Sequence, residues 1–395
     1  MKQEKVKNKK VVVAMSGGVD SSVAAVLLKQ QGYNLIGVFM KFWSEPRTGS
    51  SQLIHADRSV DTRRFENRCC SSEAEARARK VAKILGIPFY VFNFEREFKK
   101  RIVDYFLREY KRGKTPNPCV VCNKEIKFGL LLEKVLALDA DYIATGHYAR
   151  LRREIRNPKS EIRNYKYELF RGKDKVKDQS YFLWQLNQKQ LKHILFPIGD
   201  YTKDKVRALA KKFNLPVLDI PESQEICFIG TTLNDFLALY IKSKIGQILT
   251  TEGKKIGQHQ GLPFYTIGQR KGIELSGGPF YVAAKDLKKN TLIVTPFSRD
   301  KALYNKNLIA RNVNWLSAKE PKLPLKIKAQ IRYGHKSVPA IITKNPEGKL
   351  SASYGTGLKT KTYTLKFSRP QRAITPGQSV VFYQKKELLG GGIIC

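Results

Sequence analysis

The chain has 395 residues, 42% hydrophobic and 10% aromatic, enough to bury two or three domain cores and incompatible with a disordered or collagen-like chain. Lysine plus arginine number 73 against 34 aspartates and glutamates, a formal charge of +39, which points to an extended polyanion, nucleic acid, as partner and says nothing about fold. No apolar run reaches the roughly 18 residues of a membrane span, residues 11–15 are too short a run for a signal-peptide core, and six cysteines in so long a chain are no disulfide scaffold, so the expectation is a cytoplasmic protein without a membrane contact.

Residues 11–15 read as a Val-rich strand, 20–31 as a helix and 35–40 as a second strand. Ser72-Glu73-Ala74-Glu75 has the form of a capping box, opening a helix that runs to Gly86. A third strand follows at 89–94, a helix at 126–137 and a fourth strand at 141–145. Strands alternating with helices imply a parallel sheet covered on both faces, with ligands at the carboxyl ends of its strands. Residues 44–68 are polar and aperiodic, a surface loop. Residues 150–177, with the echo Glu154-Ile155-Arg156-Asn157 and Glu161-Ile162-Arg163-Asn164, read as a protruding hairpin. At 203–213, Val206, Leu209, Ala210 and Phe213 have helical spacing, and Pro216 stops the helix. Residues 221–285 are Gly-rich and mixed. Short strands at 291–295, 326–333, 337–343, 349–354, 363–367 and 379–383, separated by Pro and Gly, suggest a small antiparallel barrel. The fold class is α/β: a Rossmann-like parallel-sheet domain at 1–216, a small mixed central domain at 217–285 and a C-terminal antiparallel β-barrel at 286–395.

Ser16-Gly17-Gly18-Val19-Asp20-Ser21-Ser22 follows the first strand and opens the first helix. Two glycines allow close backbone approach, the helix N-terminus adds partial positive charge, and Ser21 and Ser22 add hydroxyls: a phosphate cradle. It is neither a Walker loop nor a dinucleotide fingerprint, because Gly-x4-Gly-Lys-Ser/Thr and Gly-x-Gly-x-x-Gly are absent.

In Thr115-Pro116-Asn117-Pro118-Cys119-Val120-Val121-Cys122-Asn123-Lys124, two prolines stiffen the backbone before the thiols. The Cys-x-x-Cys pair has three readings: half a zinc site, a redox pair, or a motif with one nucleophile, which Lys124 and Lys127 would favour as thiolate. Cys227, between Ile226 and Phe228, reads in isolation as a buried core cysteine. Cys69, Cys70 and Cys395 receive no role. Gly268-Gln269-Arg270-Lys271-Gly272 is a donor-rich turn suited to RNA phosphates, and Arg332-Tyr333 sets a cation beside an aromatic face.

The glycine loop resembles the signature of the PP-loop ATP pyrophosphatases, which cleave ATP to AMP and pyrophosphate and activate a carbonyl oxygen as an adenylate. That loop, then Thr-Pro-Asn-Pro-x-x-x-Cys-Asn-Lys-Glu-Ile-Lys-Phe, Ala-Thr-Gly-His-Tyr, Lys-Asp-Gln-Ser-Tyr-Phe-Leu, Ile-Cys-Phe-Ile-Gly and Gly-Gln-Arg-Lys-Gly occur in one order. The series resembles the bacterial tRNA-specific 2-thiouridylase family over nearly the whole chain. The resemblance implies ATP and Mg²⁺, with ATP on Ala14, Met15, Ser16, Gly17, Gly18, Val19, Asp20 and Ser21 together with Met40 and Gly146, and Asp20 at the metal-pyrophosphate end. It implies Cys122 as nucleophile and Cys227 as persulfide carrier, the two forming a disulfide as sulfur leaves, with Cys227 on a mobile segment. Asn117, Pro118 and Cys119 would lie against the target base, wobble uridine 34 of the Lys, Glu and Gln tRNAs. His147, Lys177, Asp178, Gln179, Arg332, Tyr333 and Gln378 would contact tRNA. An upstream sulfur-donor protein is implied, and a monomer on one tRNA is the default.

Family members carry Asp or Cys at the position of Cys119. Here Cys119, Cys122 and Cys227 offer the ligand set of an iron–sulfur cluster with one open iron, the alternative to persulfide chemistry. Two rivals stand beside thiolation: another PP-loop enzyme, such as a tRNA-lysidine synthetase or an amidating ligase, and a non-enzymatic tRNA-binding protein. Neither needs paired cysteines.

Overall fold

Strands β1 (Lys10–Ala14), β2 (Asn34–Lys41), β3 (Phe89–Asn93), β4 (Tyr142–Ala144) and β7 (Ile194–Leu195) pair in parallel, in the order β3-β2-β1-β4-β7. They belong to a computed structural model that describes residues 8–44, 70–155, 165–218, 226–273, 275–346 and 361–395. Val11, Val12 and Val13 are all buried, as expected of a strand with helices on both faces of its sheet. Helix α1 (Val19–Gln30) starts at Gly18 and α2 (Ser72–Leu85) ends at Gly86, a left-handed cap with φ of 59°. The N-cap of α2 is Ser71, whose hydroxyl accepts from the Ala74 N–H at 3.2 Å. The capping box expected at Ser72–Glu75 does not form: Ser71 has the extended backbone an N-cap requires, and its N3 residue is Ala74, which has no polar side chain to complete a box.

The helix expected at 126–137 begins earlier. Pro118 sits in its first turn, where a missing N–H costs nothing. The run then passes through a π-helical stretch, Asn123–Leu130, into Leu131–Leu136. A second helical run, residues 95–111, also contains a π stretch, Lys99–Val103. Sequence periodicity tuned to 3.6 residues blurs over such wide turns.

β5 (Ala149–Ile155) and β6 (Tyr165–Arg171) form the expected hairpin. Its base does not protrude. Phe170 and Leu169 pair with Glu387 and Leu388 of β17 (Glu387–Ile394), so the hairpin is sewn onto the barrel sheet. Its tip, and the loop expected at 44–68 apart from Ser44, lie outside the described residues.

In the centre, β8 (Gly246–Thr250), β9 (Lys255–His259), β10 (Tyr281–Asp286) and β11 (Thr291–Thr295) form a sheet in the order β10-β11-β8-β9 around Ile248, Val282, Leu292 and Val294. The strand at 291–295 therefore belongs here and not to the barrel: it lies in parallel register on β8. The barrel comprises β12 (Tyr304–Trp315), β13 (Leu325–Gln330), β14 (Val338–Lys344), β15 (Thr362–Arg372), β16 (Ser379–Gln384) and β17, closed by pairing of β12 with β17. Ile327 and Ala329 point into its core, and Lys326 and Lys328 alternate outward. Sequence reading misses β12, whose residues 304–307 are all exposed, and β17, which carries Gly390, Gly391 and Gly392. Gly391 packs on the Trp184 ring, where a Cβ would approach within 2.8 Å. The strand expected at 349–354 lies outside the described residues. No helix among the described residues is long and apolar enough to cross a membrane.

Candidate active site

β1, β2 and β4 end on one sheet edge, which brings together the loop after Ala14, Met40 at the end of β2 and Gly146 beyond β4. The Met15 N–H donates to the Val38 carbonyl at 2.8 Å, and its side chain fills space that a Cβ on Gly37 would occupy. Gly17 has φ of +72°, and a Cβ there would overlap the Ala74 carbonyl, so only glycine fits. The Ser16 N–H donates to Ser21 Oγ at 3.2 Å, and the Ser21 and Ser22 hydroxyls return to the Gly18 carbonyl at 3.2 and 2.9 Å. No side chain caps α1, which leaves the N-terminal N–H groups of its first turn for an anion. Gly146 closes the opposite side: a Cβ would stand 2.7 Å from both the Asp20 carbonyl carbon and the Ser21 nitrogen.

The Asp20 carboxylate is held by two residues that sequence reading passes over. The Tyr148 hydroxyl donates to it at 2.7 Å, and the Lys203 ammonium donates to its two oxygens at 2.8 and 2.9 Å. Lys203 opens the helix Lys203–Lys212 and is buried. One sequence signal was available, since a cation in the first turn of a helix opposes the helix dipole. The Lys203 N–H donates to Asp174 Oδ2 at 2.9 Å, while Asp174 Oδ1 accepts from the N–H groups of Val176 and Lys177. This turn and the helix start line an open cleft of about 780 Å³ with Lys173, Lys175, Lys177 and Arg207, a basic floor suited to phosphates.

Cys119 is exposed and Cys122 half-buried on the helix Pro118–Cys122; at i and i+3 they share one side of it. The Lys124 ammonium, expected to favour a thiolate, lies 3.2 Å from the Glu125 carboxylate, which also meets Arg101 at 3.3 Å. Cys227 is half-buried. Beside it, Phe228 packs edge-on against Phe98, Phe106 and Phe236, with centroids 5.8, 5.3 and 5.7 Å away. Phe98 and Phe106 belong to the helical run 95–111, on which Pro118–Cys122 also packs. One helical run thus supports both cysteine segments. Residues 219–225, before Cys227, lie outside the described residues. Among the described residues no three His, Cys, Asp or Glu side chains gather as a metal site, so Cys119, Cys122 and Cys227 do not fit an iron–sulfur cluster in this arrangement. Cys70 accepts from the Phe42 N–H at 3.2 Å inside the core, and the Cys395 backbone N–H extends the barrel by donating to Ile309 at 2.9 Å.

Several residues expected to touch tRNA instead hold the protein together. His147 is 8% exposed, its Nδ1 2.7 Å from the Thr145 hydroxyl and its ring between Phe128 and Phe196. Burial, with Lys127 nearby, pushes its pKa well below the ordinary value and keeps it neutral. Asp178 is buried, accepting from Arg171 at 2.9 Å and from the N–H groups of Gly172 and Ser180. The Gln179 side chain accepts from the Tyr148 N–H at 3.0 Å. The Gln378 amide donates to the Thr115 and Pro116 carbonyls at 2.9 and 3.3 Å. Arg332 bonds the Thr375 hydroxyl at 3.2 Å. Tyr333 rests on Phe182 with centroids 4.5 Å apart and stays 39% exposed. Lys177 and Arg332 are half-buried.

Three family models match in series: a tRNA methyl transferase HUP domain at residues 9–231, a tRNA methyl transferase PRC-barrel domain at 234–296 and an aminomethyltransferase beta-barrel domain at 305–394. The tRNA-specific 2-thiouridylase MnmA of Carboxydothermus hydrogenoformans is 45% identical over 393 residues, covering 98% of this chain and 97% of that protein. MnmA 1 of Caldanaerobacter subterraneus subsp. tengcongensis is 46% identical over 394 residues and MnmA 2 of Thermoanaerobacter sp. 44% over 393, each covering 98% of both chains. The domain descriptions speak of methyl transfer and the relatives' names of thiolation. Matched along nearly its whole length, the chain belongs to the tRNA-specific 2-thiouridylase family of ATP-using PP-loop enzymes.

Proposed function

We propose that this chain is a tRNA-uridine 2-sulfurtransferase acting on wobble uridine 34 of the Lys, Glu and Gln tRNAs. The observation that carries the reading is the glycine loop at the sheet edge, with Asp20 held beside it by Tyr148 and Lys203. The C2 oxygen of uridine is a poor leaving group, and transfer of AMP to it, with release of pyrophosphate, makes it a good one. Residues 14–21, Met40 and Gly146 form the ATP site, and the N–H groups of its loop and first helical turn meet the pyrophosphate, whereas the buried Ser21 and Ser22 hydroxyls, expected to join them, brace the loop on the Gly18 carbonyl instead. Mg²⁺ would supply charge neutralisation there, and Asp20, whose carboxylate already accepts from Lys203 and Tyr148, would stand at the metal-pyrophosphate end.

Asn117, Pro118 and Cys119 face the base, which is splayed out of its stack to be reached. The terminal sulfur of a Cys227 persulfide attacks C2 and AMP departs. The Cys122 thiolate then attacks the Cys227 sulfur, forming the Cys122–Cys227 disulfide and freeing 2-thiouridine. A two-electron reductant restores both thiols, and an upstream sulfur-donor protein reloads Cys227. Among the described residues no three His, Cys, Asp or Glu side chains are placed to hold a metal, and the sulfur route is therefore written through the persulfide. The enzyme acts as a monomer on one tRNA. With ATP, Mg²⁺, a persulfide-bearing sulfur donor and unmodified tRNA, pyrophosphate release should depend on tRNA and cease in Asp20→Asn; release that continues unchanged in that variant contradicts the site.

A further inference from the structure

All three polar groups of Thr115, four residues before Cys119, are bonded across domain boundaries. Its N–H donates to the Pro376 carbonyl of the barrel at 2.9 Å. Its carbonyl accepts from the Gln378 amide at 2.9 Å. Its hydroxyl lies 3.0 Å from the Thr266 hydroxyl of the central domain. The approach is tight: Gly377 has φ of +92°, and a Cβ on it would sit 3.0 Å from Lys114 Cβ and from the Thr115 nitrogen and oxygen.

Both bonded partners lead back to basic turns. In the central domain, the Thr266 N–H donates to Gln269 Oε1 at 2.8 Å, and Gln269 Nε2 donates to the Lys271 carbonyl at 2.9 Å, within the turn that carries Arg270. In the barrel, the Gln378 N–H donates to the Thr375 carbonyl at 3.2 Å, and the Thr375 hydroxyl accepts from Arg332. Two donor-rich surfaces on two domains therefore end on one residue. Downstream of it, Pro116 and Pro118 fix φ, so a displacement of Thr115 is passed to Asn117 and Cys119 rather than absorbed.

We infer that Thr115 and Thr266 are positioning residues: the two outer domains, gripping the RNA, set the base-facing segment 117–122 through the Thr115–Thr266 hydroxyl contact and the Gln378 amide. This rests on the function proposed above. The Thr266 hydroxyl touches neither base nor ATP and acts through the loop.

The test compares Thr266→Val, Thr266→Ser, Thr115→Val and the double valine variant in the full chain. Three quantities are read: tRNA affinity, kcat for 2-thiouridine at saturating tRNA, and the alkylation rate of Cys122 by peptide mass spectrometry in tRNA-bound protein. Misplacing a reacting group by an ångström costs up to about a hundredfold, so Thr266→Val should lower kcat by roughly tenfold to a hundredfold while tRNA affinity stays within about twofold. Cys122 alkylation should change with it, Thr266→Ser should restore both, and the double variant should be no worse than Thr266→Val. A loss confined to tRNA affinity would assign the hydroxyl to RNA binding and overturn the inference. So would valine variants with wild-type kcat and alkylation. Absence of 2-thiouridine from the wild type would refute the functional reading instead, while alkylation of Cys122 would still decide the positioning role.

Discussion

Lys285 reaches from β10 of the central domain to the Gly113 carbonyl at 3.1 Å, just before the Thr115 loop. Burial pushes its ammonium down from 10.5 to about 8. The sign follows from proton counting. Below pH 8 both folded and unfolded chains hold the proton. Between about 8 and 10.5 the unfolded chain keeps it and the folded chain has lost it, so stability contributed by this site rises with pH in that window. At about 1.4 kcal/mol per pH unit, the full interval is worth about 3 kcal/mol, and raising the pH from about 7.5 to about 9.5 recovers about 2 kcal/mol of it. The assay is urea unfolding of wild type and Lys285→Met across that range. Methionine keeps the apolar stem and removes the charge, and titrations common to both proteins cancel in the difference. The stability of the wild type relative to Lys285→Met should climb by about 2 kcal/mol. A flat or falling difference would refute the argument that a buried lysine charge weakens this interface.

Lys203→Met strips the Asp20 carboxylate of two charge-assisted hydrogen bonds and leaves it the Tyr148 hydroxyl. Water reaches part of Asp20, so the net loss should be about 2 kcal/mol, a fall in Tm of about 4–8 °C for a domain of this size. Lys203→Arg should recover most of it, and an unchanged melting curve for Lys203→Met would mean the pair does not hold the loop. Gly146→Ala drives a methyl group against the Asp20 and Ser21 backbone, neither of which can yield as a side-chain tip would. ATP affinity measured by equilibrium dialysis should drop by on the order of tenfold or more while tRNA binding persists. Wild-type ATP binding in that variant would remove Gly146 from the site.

What sequence carried well was local and periodic: the strand-loop-helix around Gly17 and Gly18, the Gly86 cap, the amphipathic helix that begins at Lys203. Each is fixed by a backbone requirement or an apolar face within a few residues. What it carried poorly depends on distant partners. Nothing adjacent to Asp20 announces Lys203, 183 positions away, nor does the sequence around Gln378 announce that its amide closes on Thr115. His147 and Asp178 are expected at the tRNA from the family resemblance, and His147 also from its place beyond the fourth strand, yet tertiary packing buries both. β17 was invisible because its glycines make room for Trp184 and for β12 rather than supplying an alternating apolar face. The iron–sulfur alternative arose from three cysteines countable in sequence, and only the fold could say whether they gather.

The account's central claim is sulfur transfer to a uridine from Cys227 with release by Cys122, and nucleoside mass spectrometry of the tRNA product tests it most directly. Unmodified tRNA incubated anaerobically with the protein, ATP, Mg²⁺, a persulfide-bearing sulfur-donor protein and a thiol reductant should yield 2-thiouridine at the wobble position, and Cys122→Ser should abolish it. Pyrophosphate release without 2-thiouridine, or thiolation that survives Cys122→Ser, would contradict it.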